Sequence, residues 1–407
     1  MFIRQKLCVI FLVLFFVSTA SFGLEIKPGI TITKGNYEKY LPELEKLLTP
    51  AIYVQVIDAL KRGATTLPIV ERKKYPQPNP FYDVTMKYKG TCKIGPNNEL
   101  LGWIAGTPFP NPKTALELAW NLDRKWVAID QSSQKTDLLL YSKGVLEKKL
   151  QWYWNVYYYT GRTFLPPFGE PPENKNNGII HFKENMVMLS PNDIKGFSML
   201  RIRYQDVSKY DDVYAYIPAI RRIRRLTGKD VTDPMLGSDI IYDDFEGFRQ
   251  KITPAMTFKM RELELLVPAY IDEKMTPLTK TKLDLVSKNV NFPQVEWEIR
   301  PVYELEMLVN DPEYAYSKRV VIVDKERHIG ASFYSIAGYD QRGRLAKSSL
   351  AFNQLAPPHY ETWWKYVNWM NPETQHNTFW DWRERKNPDP EVKSENLSFK
   401  WILRFAR

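Results

Sequence analysis

Residues 211–226 read DDVYAYIPAIRRIRRL, with four arginines among positions 221–225 behind alternating aromatic and aliphatic side chains. As a helix, the segment would place Ile220, Ile223 and Leu226 three apart, ringed by arginines, with Pro218 in the first turn. That is the pattern of an amphipathic helix lying on a membrane. As two strands, DVYAYI would run in, Pro218 and Ala219 would make the corner, and IRRIRRL would run out. Arg221, Ile223 and Arg225 would then share one face, and Arg222 and Arg224 the other. Spacing alone leans slightly toward the helix.

The flanking sequence has the texture of strands. TDLLLYS (136–142), LEKKLQWYWNVYYYTGRTFL (146–165) and GFSMLRIRYQD (196–206) precede the arginine run. RELELLVPAYI (261–271), VEWEIRPVYELEMLV (295–309), KRVVIVDKERH (318–328), GASFYSIAGYDQRG (330–343) and RLAKSSLAF (344–352) follow it. Many strands with few helices between them argue for an antiparallel sheet, because parallel strands need long crossovers. The strand around Trp152 is aromatic on both faces. Trp152, Trp154, Val156 and Tyr158 point one way, and Tyr153, Asn155, Tyr157 and Tyr159 the other. Two readings fit: N-terminal helices cover one face and the sheet interior the other, or one face lines a cavity for an apolar ligand. The segment 357–382, PPHYETWWKYVNWMNPETQHNTFWDW, reads as an irregular aromatic extension packed over the sheet.

Nearer the N-terminus, residues 36–60 show helical spacing, with Leu41, Leu44, Leu47 and Leu48 on one side. Pro42 suits a first turn, and Pro50 divides the segment into two short helices. A proline-rich connection (75–81) leads to a second short helix at 114–123. The expected organisation is a leader at 1–23, a helical and proline-rich region at 24–133, the sheet at 134–355 and an aromatic extension at 356–407.

The leader carries Arg4 and Lys6, an apolar run at 7–17 and small residues up to Gly23, the pattern of a secretory signal peptide. The run is shorter than the roughly 20 residues that cross a bilayer. Cleavage after Gly23 predicts a soluble exported chain of about 384 residues. Of the two cysteines, only Cys92 would remain, so an internal disulfide is excluded. Formal charge falls from +10 to +8 with the leader gone. Export makes nucleic acid an unsuitable partner, and the basic excess points instead to anionic head groups or acidic proteins.

Catalytic signatures are scarce. The histidines at 181, 328, 359 and 376 show no i, i+4 metal spacing, and no glycine-rich phosphate loop or G-x-S-x-G elbow is present. No metal or cofactor is implied. The carboxylate pairs Asp211–Asp212 and Asp243–Asp244 read more naturally as turn or cap residues than as an acid–base couple.

Taken in order, AGTPFPNPKT (105–114), WNVYYYTGRTFLPP (154–167), DDVYAYIPAIRRIRRL, DPMLGSDIIYDDFEGF (233–248), KRVVIVD and YDQRGRL resemble domain-of-unknown-function family 1329. These are exported bacterial proteins, similar in turn to the periplasmic lipoprotein carriers LolA and LolB. The resemblance spans nearly all of the mature chain. It implies a mainly β (α+β) fold, a curved antiparallel sheet forming an unclosed β-barrel with plugging helices. It also implies that 212–226 is a hairpin of two strands, against the spacing-based preference.

On that fold, residues 237–245 become a loop entering a short helix capped by Ser238 or Asp239. Some of Asp239, Asp243 and Asp244 are expected to pair with Arg221, Arg222, Arg224 or Arg225 and hold the barrel rim. Trp152, Trp154, Tyr158, Leu200 and Ile202 are the expected cavity lining. The function implied is a non-catalytic periplasmic carrier of a lipid-like molecule or the acyl chains of a lipoprotein. An inner-membrane transporter or an outer-membrane acceptor would be its partner. Two alternatives remain open: an accessory subunit of an envelope transporter, and an exported hydrolase using a carboxylate pair. The chain is about twice as long as a simple carrier of this type.

Overall fold

The computed structural model describes residues 24–79, 81–124, 130–168, 174, 180–226, 232–247, 250–272, 292–330, 332–356 and 358–405. The expected leader lies outside them. Two small ladders precede the main sheet: β1 (Thr31–Ile32) with β2 (Leu67–Pro68), and β3 (Lys93–Ile94) with β4 (Leu100–Leu101).

Two meanders build the main sheet. The first leaves the centre through β5 (Gln131–Ser142), β6 (Val145–Tyr158), β7 (Ile180–Ser190), β8 (Ser198–Tyr204), β9 (Asp212–Ile217) and β10 (Arg222–Leu226). The chain then crosses to the far edge at β11 (Met256–Pro268). From there it returns through β13 (Trp297–Val309), β14 (Lys318–Asp324), β15 (Phe333–Tyr339), β16 (Leu345–Ala356), β17 (Glu361–Asn371) and β18 (His376–Lys386). The short β12 (Ile271–Asp272) pairs in parallel with the end of β16. Pairing of β18 with β5 welds the two meanders and is antiparallel, as are the other ladders along the strand order. β10 and β11 form the two edges and are not paired with each other, so the sheet is curved but unclosed. Its curvature shows in the core. Val213 and Ala215, near one edge, share a buried cluster with Tyr303, Leu305 and Met307, near the other.

The 212–226 segment is therefore a hairpin, with Ile217 opposite Arg222 and Val213 opposite Leu226. Pro218 opens a single 3-10 turn at the corner, and Arg221 closes it with φ +53°. The helical spacing of Ile220, Ile223 and Leu226 is coincidental. On an edge strand these positions need no periodicity, because neither face is fully buried.

Helices cover the outside of the sheet's centre. α1 (Leu41–Leu47) and α2 (Pro50–Arg62) form as the leucine spacing predicts, separated at Pro50. α2 lays Ile52, Val56 and Leu60 against Leu350, Phe352 and Phe379 of β16 and β18. Gln55 fixes its register, donating from Nε2 to Ser348 Oγ at 2.9 Å and to the Asn368 carbonyl at 3.1 Å. A short α3 (Phe81–Lys87) follows, then α4 (Ala115–Asp123), the short helix expected at 114–123, which opens on a capping box between Thr114 and Glu117. Thr114→Ala should cost about 1 kcal/mol of unfolding free energy in urea titrations. A loss below ~0.3 kcal/mol would show the box to be redundant with the packing of α4.

Two expectations are corrected. Residues 361–386 are not irregular: they form β17 and β18, the central strands of the sheet. The expected boundary at 355–356 therefore falls between hydrogen-bonded neighbours. Both strands are buried on both faces, so their aromatic residues show no polar alternation to betray a strand. The outer face of the aromatic strand β6 is covered by the C-terminus and not by the N-terminal helices. Tyr157 and Tyr159 pack with Leu200, Leu397 and Ile402, the last from the helix Phe399–Phe405.

Candidate functional site

The inner face of the sheet is an aromatic wall. Alternation on β6 directs Trp152, Trp154 and Val156 inward, and β17 and β18 add Trp364, Trp369, Trp380 and Trp382. Their rings touch in sequence across the sheet. Trp152 meets Trp380 edge-on at 5.5 Å between centroids, and Trp380 meets Trp382 at 5.6 Å. Trp382 meets Trp364 at 6.0 Å, and Trp364 meets Phe333 at 4.5 Å. These spacings suit offset and edge-to-face attraction. The indole N–H groups of Trp364, Trp369 and Trp382 are buried with no hydrogen-bond partner among the described residues.

Two of the protein's own elements cover this wall. α4 inserts Leu118, Trp120 and Leu122. The crossover from β10 to β11, hereafter the strap (described at 232–247 and 250–255), adds Ile240, Tyr242 and Ile252. Strap and wall form one buried apolar cluster.

Three aspartates pin the strap, each to a different part of the sheet. Asp239 accepts from Lys347 of β16 at 3.2 Å, from Thr378 of β18 at 3.0 Å, and contacts His376 Nδ1 at 2.5 Å. Asp243 meets Arg201 of β8 at 3.3 Å and accepts from the Tyr314 hydroxyl at 2.8 Å. Asp244 meets Arg319 of β14 at 2.7 Å and accepts from Tyr316 at 3.1 Å. β8 is third from one edge of the sheet and β14 third from the other. The Asp243–Asp244 doublet thus ties the two wings across the gap that the hydrogen bonds leave open.

The electrostatics follow from burial. Arg201 is buried, which disfavours its charge, but Asp211, Tyr242, Glu184 and Asp243 surround it and hold its pKa above the ordinary value. For Asp211, burial pushes the carboxyl up, but Arg203 and Arg201 outweigh it and leave the group below the usual range. Asp244 goes the other way: burial raises it, and Arg319 with two hydrogen bonds offsets only part of the rise.

The staple expected of the rim exists, but with different arginines. Asp239, Asp243 and Asp244 do not pair with Arg221, Arg222, Arg224 or Arg225, which are exposed on the edge of the sheet. Arg225 instead meets Asp212 on the neighbouring strand at 2.5 Å. The strap runs inward from the hairpin and across the sheet, so its carboxylates meet guanidiniums of interior strands. The signal was present in LRIRY and KRVVIVD, where an arginine sits inside an apolar strand. The short helix Tyr242–Gly247 is capped by neither Ser238 nor Asp239: the Asp244 carboxylate accepts from Ile241 N at 3.1 Å, while Ser238 Oγ accepts from Ile240 N.

The expected lining residues divide between the two faces. Trp152 and Trp154 are on the inner wall, and Tyr158 packs beside them. Leu200 and Ile202 lie on the outer face: Leu200 packs under the C-terminal segment, and Ile202 is two residues on. Met199 and Arg201 are the inward positions of β8.

A separate cavity of about 160 Å³ lies on the outer face where α2 begins, lined in part by Arg261, Glu304, Glu306 and Lys318. Its volume and charge suit water better than a ligand, whose pockets run to about 300 Å³ and more. Among the described residues no group of histidine, cysteine and carboxylate side chains could hold a metal, and no helix is long and apolar enough to cross a membrane.

An unclosed antiparallel half-barrel, aromatic within and strapped across its opening, defines the class of protein. The chain belongs to the family described as "Protein of unknown function (DUF1329)", whose model matches residues 31–401. Among solved structures it is similar to a DUF1329 family protein from Desulfovibrio piger, 16% identical, covering 71% of this chain and 97% of that one at a TM-score of 0.50. A putative outer membrane lipoprotein-sorting protein domain from Vibrio parahaemolyticus is 16% identical, covering 72% and 99%, at a TM-score of 0.49. A LolA superfamily protein from Nitrosomonas europaea is 12% identical, covering 71% and 100%, at 0.45. A search of curated proteins returned no match.

Proposed function

We propose that the protein is a non-catalytic carrier in the periplasm, holding a lipid-like molecule or the acyl part of a lipoprotein against its inner wall. The observation that carries this reading is the continuous run of rings from Trp152 to Phe333 beneath covers that belong to the chain itself. Keeping an acyl chain from water is worth roughly 0.8 kcal/mol per methylene. Strap side chains such as Ile240 and Ile252 already provide the wall with an apolar partner. A cargo that displaces them replaces one dry contact of the wall with another, and the ion pairs of the strap set the barrier to its lifting. Asp243 and Asp244 are both engaged by arginine and tyrosine, so neither is presented to a substrate, and the hydrolase reading gains no support from them.

The test starts with protein purified from its native envelope. Organic extraction and mass spectrometry should recover a bound amphiphile, and delipidated protein should take up a fluorescent fatty acid saturably near one per chain. Energy transfer from tryptophan to the probe should accompany uptake. The absence of both bound lipid and saturable uptake would overturn the carrier reading.

A further inference from the structure

The β9–β10 hairpin presents a surface that the carrier reading does not use. On β10, Arg222 and Arg224 lie on the inner side of the sheet, Arg224 opposite the buried Ala215, and Ile223 and Arg225 lie on the outer side opposite Tyr216 and Tyr214. Asp212 is consumed by Arg225 and by the Tyr204 hydroxyl at 2.6 Å. Among the described residues Arg221, Arg222 and Arg224 take part in no ion pair. Ile220 is 53% and Ile223 37% exposed beside them.

Arg221 adds an independent point. It closes the turn at φ +53°, a left-handed conformation that glycine adopts without strain. The sequence keeps a charged side chain where the backbone would favour none.

The outer edge of β10 pairs with no described strand. Along such an edge, alternate residues direct N–H and C=O outward, ready to form another ladder. Charges on an edge commonly serve to prevent promiscuous pairing. Here the charge is asymmetric: one face carries two uncompensated guanidiniums, and the other carries an exposed isoleucine with a neutralised arginine. This arrangement repels basic strands and leaves wholly apolar ones unmatched. An extended segment with acidic side chains on one face and aliphatic side chains on the other complements it at every position.

We propose that β10 is a docking edge for a strand from an acidic partner protein, added by main-chain pairing and selected by alternating acidic and aliphatic residues. The proposal does not depend on the carrier reading.

The probe is a fluorescein-labelled peptide containing EVEIEV, titrated with the mature chain and followed by anisotropy. Saturable binding is expected, weakened at least tenfold in Arg222→Gln/Arg224→Gln and also by added salt. Arg221→Gly should weaken it less and leave thermal unfolding intact. KVKIKV, the non-alternating EEEVIV, and EVEIEV N-methylated at alternate amides should each bind at least tenfold more weakly. These peptide comparisons use the unaltered protein, so they hold even if a variant misfolds. Failure of EVEIEV to bind would overturn the proposal, as would equal binding of the shuffled or N-methylated peptides. So would arginine-dependent binding to phosphatidylglycerol vesicles without peptide binding, which assigns the edge to a membrane.

Discussion

Arg201→Met should destabilise the protein by about 3–5 kcal/mol at neutral pH, the range for breaking a buried ion pair. The guanidinium lies within 2.6 Å of Asp211, 3.3 Å of Asp243 and 3.4 Å of Glu184, and its side chain is 3% exposed. Methionine fills the space but takes the shared guanidinium away from three carboxylates, of which Asp211 retains Arg203. Acidification supplies a signature that lost packing would not give. In the native protein Asp211 is held below the ordinary carboxylate range, so its contribution is present above the unfolded pKa and is lost as pH falls through the lower folded value. In the variant, burial of Asp211 meets a weaker opposing field and its carboxyl shifts upward. A folded carboxyl with a raised pKa takes up its proton more readily than the unfolded one, so the variant gains relative stability on acidification. The difference between the two proteins, measured by urea unfolding from pH 7 to pH 4, should narrow steadily. A gap under 1 kcal/mol at pH 7, or one that widens in acid, would show that Arg201 does not bear the charge of this cluster.

The sequence made some of this architecture legible and concealed the rest for definite reasons. The split of α1 from α2 at Pro50 and the start of α4 at Thr114 are local matters, and both bounds could be read directly; the capping box that sets the second is seen only in the structure. The β9–β10 hairpin could not be read from spacing, because an edge strand lacks the alternation that burial imposes; family resemblance was needed. β17 and β18 were misread for the opposite reason, burial on both faces. The lining residues failed at the step between strands. Alternation within β6 assigned Trp152 and Trp154 to one face correctly. Carrying that face to β8 requires the registers of β6 with β7 and β7 with β8, and both contain a shift. The partners of Asp243 and Asp244 depended on where the strap crosses. Nearness in sequence favoured Arg221–Arg225, and only the topology brings Arg201 and Arg319 to opposite sides of one doublet.

That doublet offers a way to separate the strap's role in stability from its role in access. Arg319 is completely buried and Asp244 is 1% exposed. Arg319→Met should therefore cost about 3–5 kcal/mol, because Asp244 is left without its guanidinium in a site where burial already disfavours its charge. Pairing that change with Asp244→Leu removes both charges, and replacement of a buried pair by apolar groups is often neutral or stabilising. The double variant should recover most of the loss, to within about 1 kcal/mol of the native protein. Under the carrier reading it should also differ in kinetics. Its strap keeps Asp243 on Arg201 and Asp239 on Lys347 but has lost its directional tie to β14, so the cover lifts more often. Stopped-flow uptake of a fluorescent fatty acid should then be roughly tenfold faster, corresponding to about 1.4 kcal/mol less holding the strap down. Restored stability with unchanged uptake would mean that cargo enters elsewhere, beside α4. If the double variant stays as unstable as Arg319→Met, Tyr316 depends on Asp244 for its own hydrogen bond, and the tie between the wings is a network that cannot be replaced by packing.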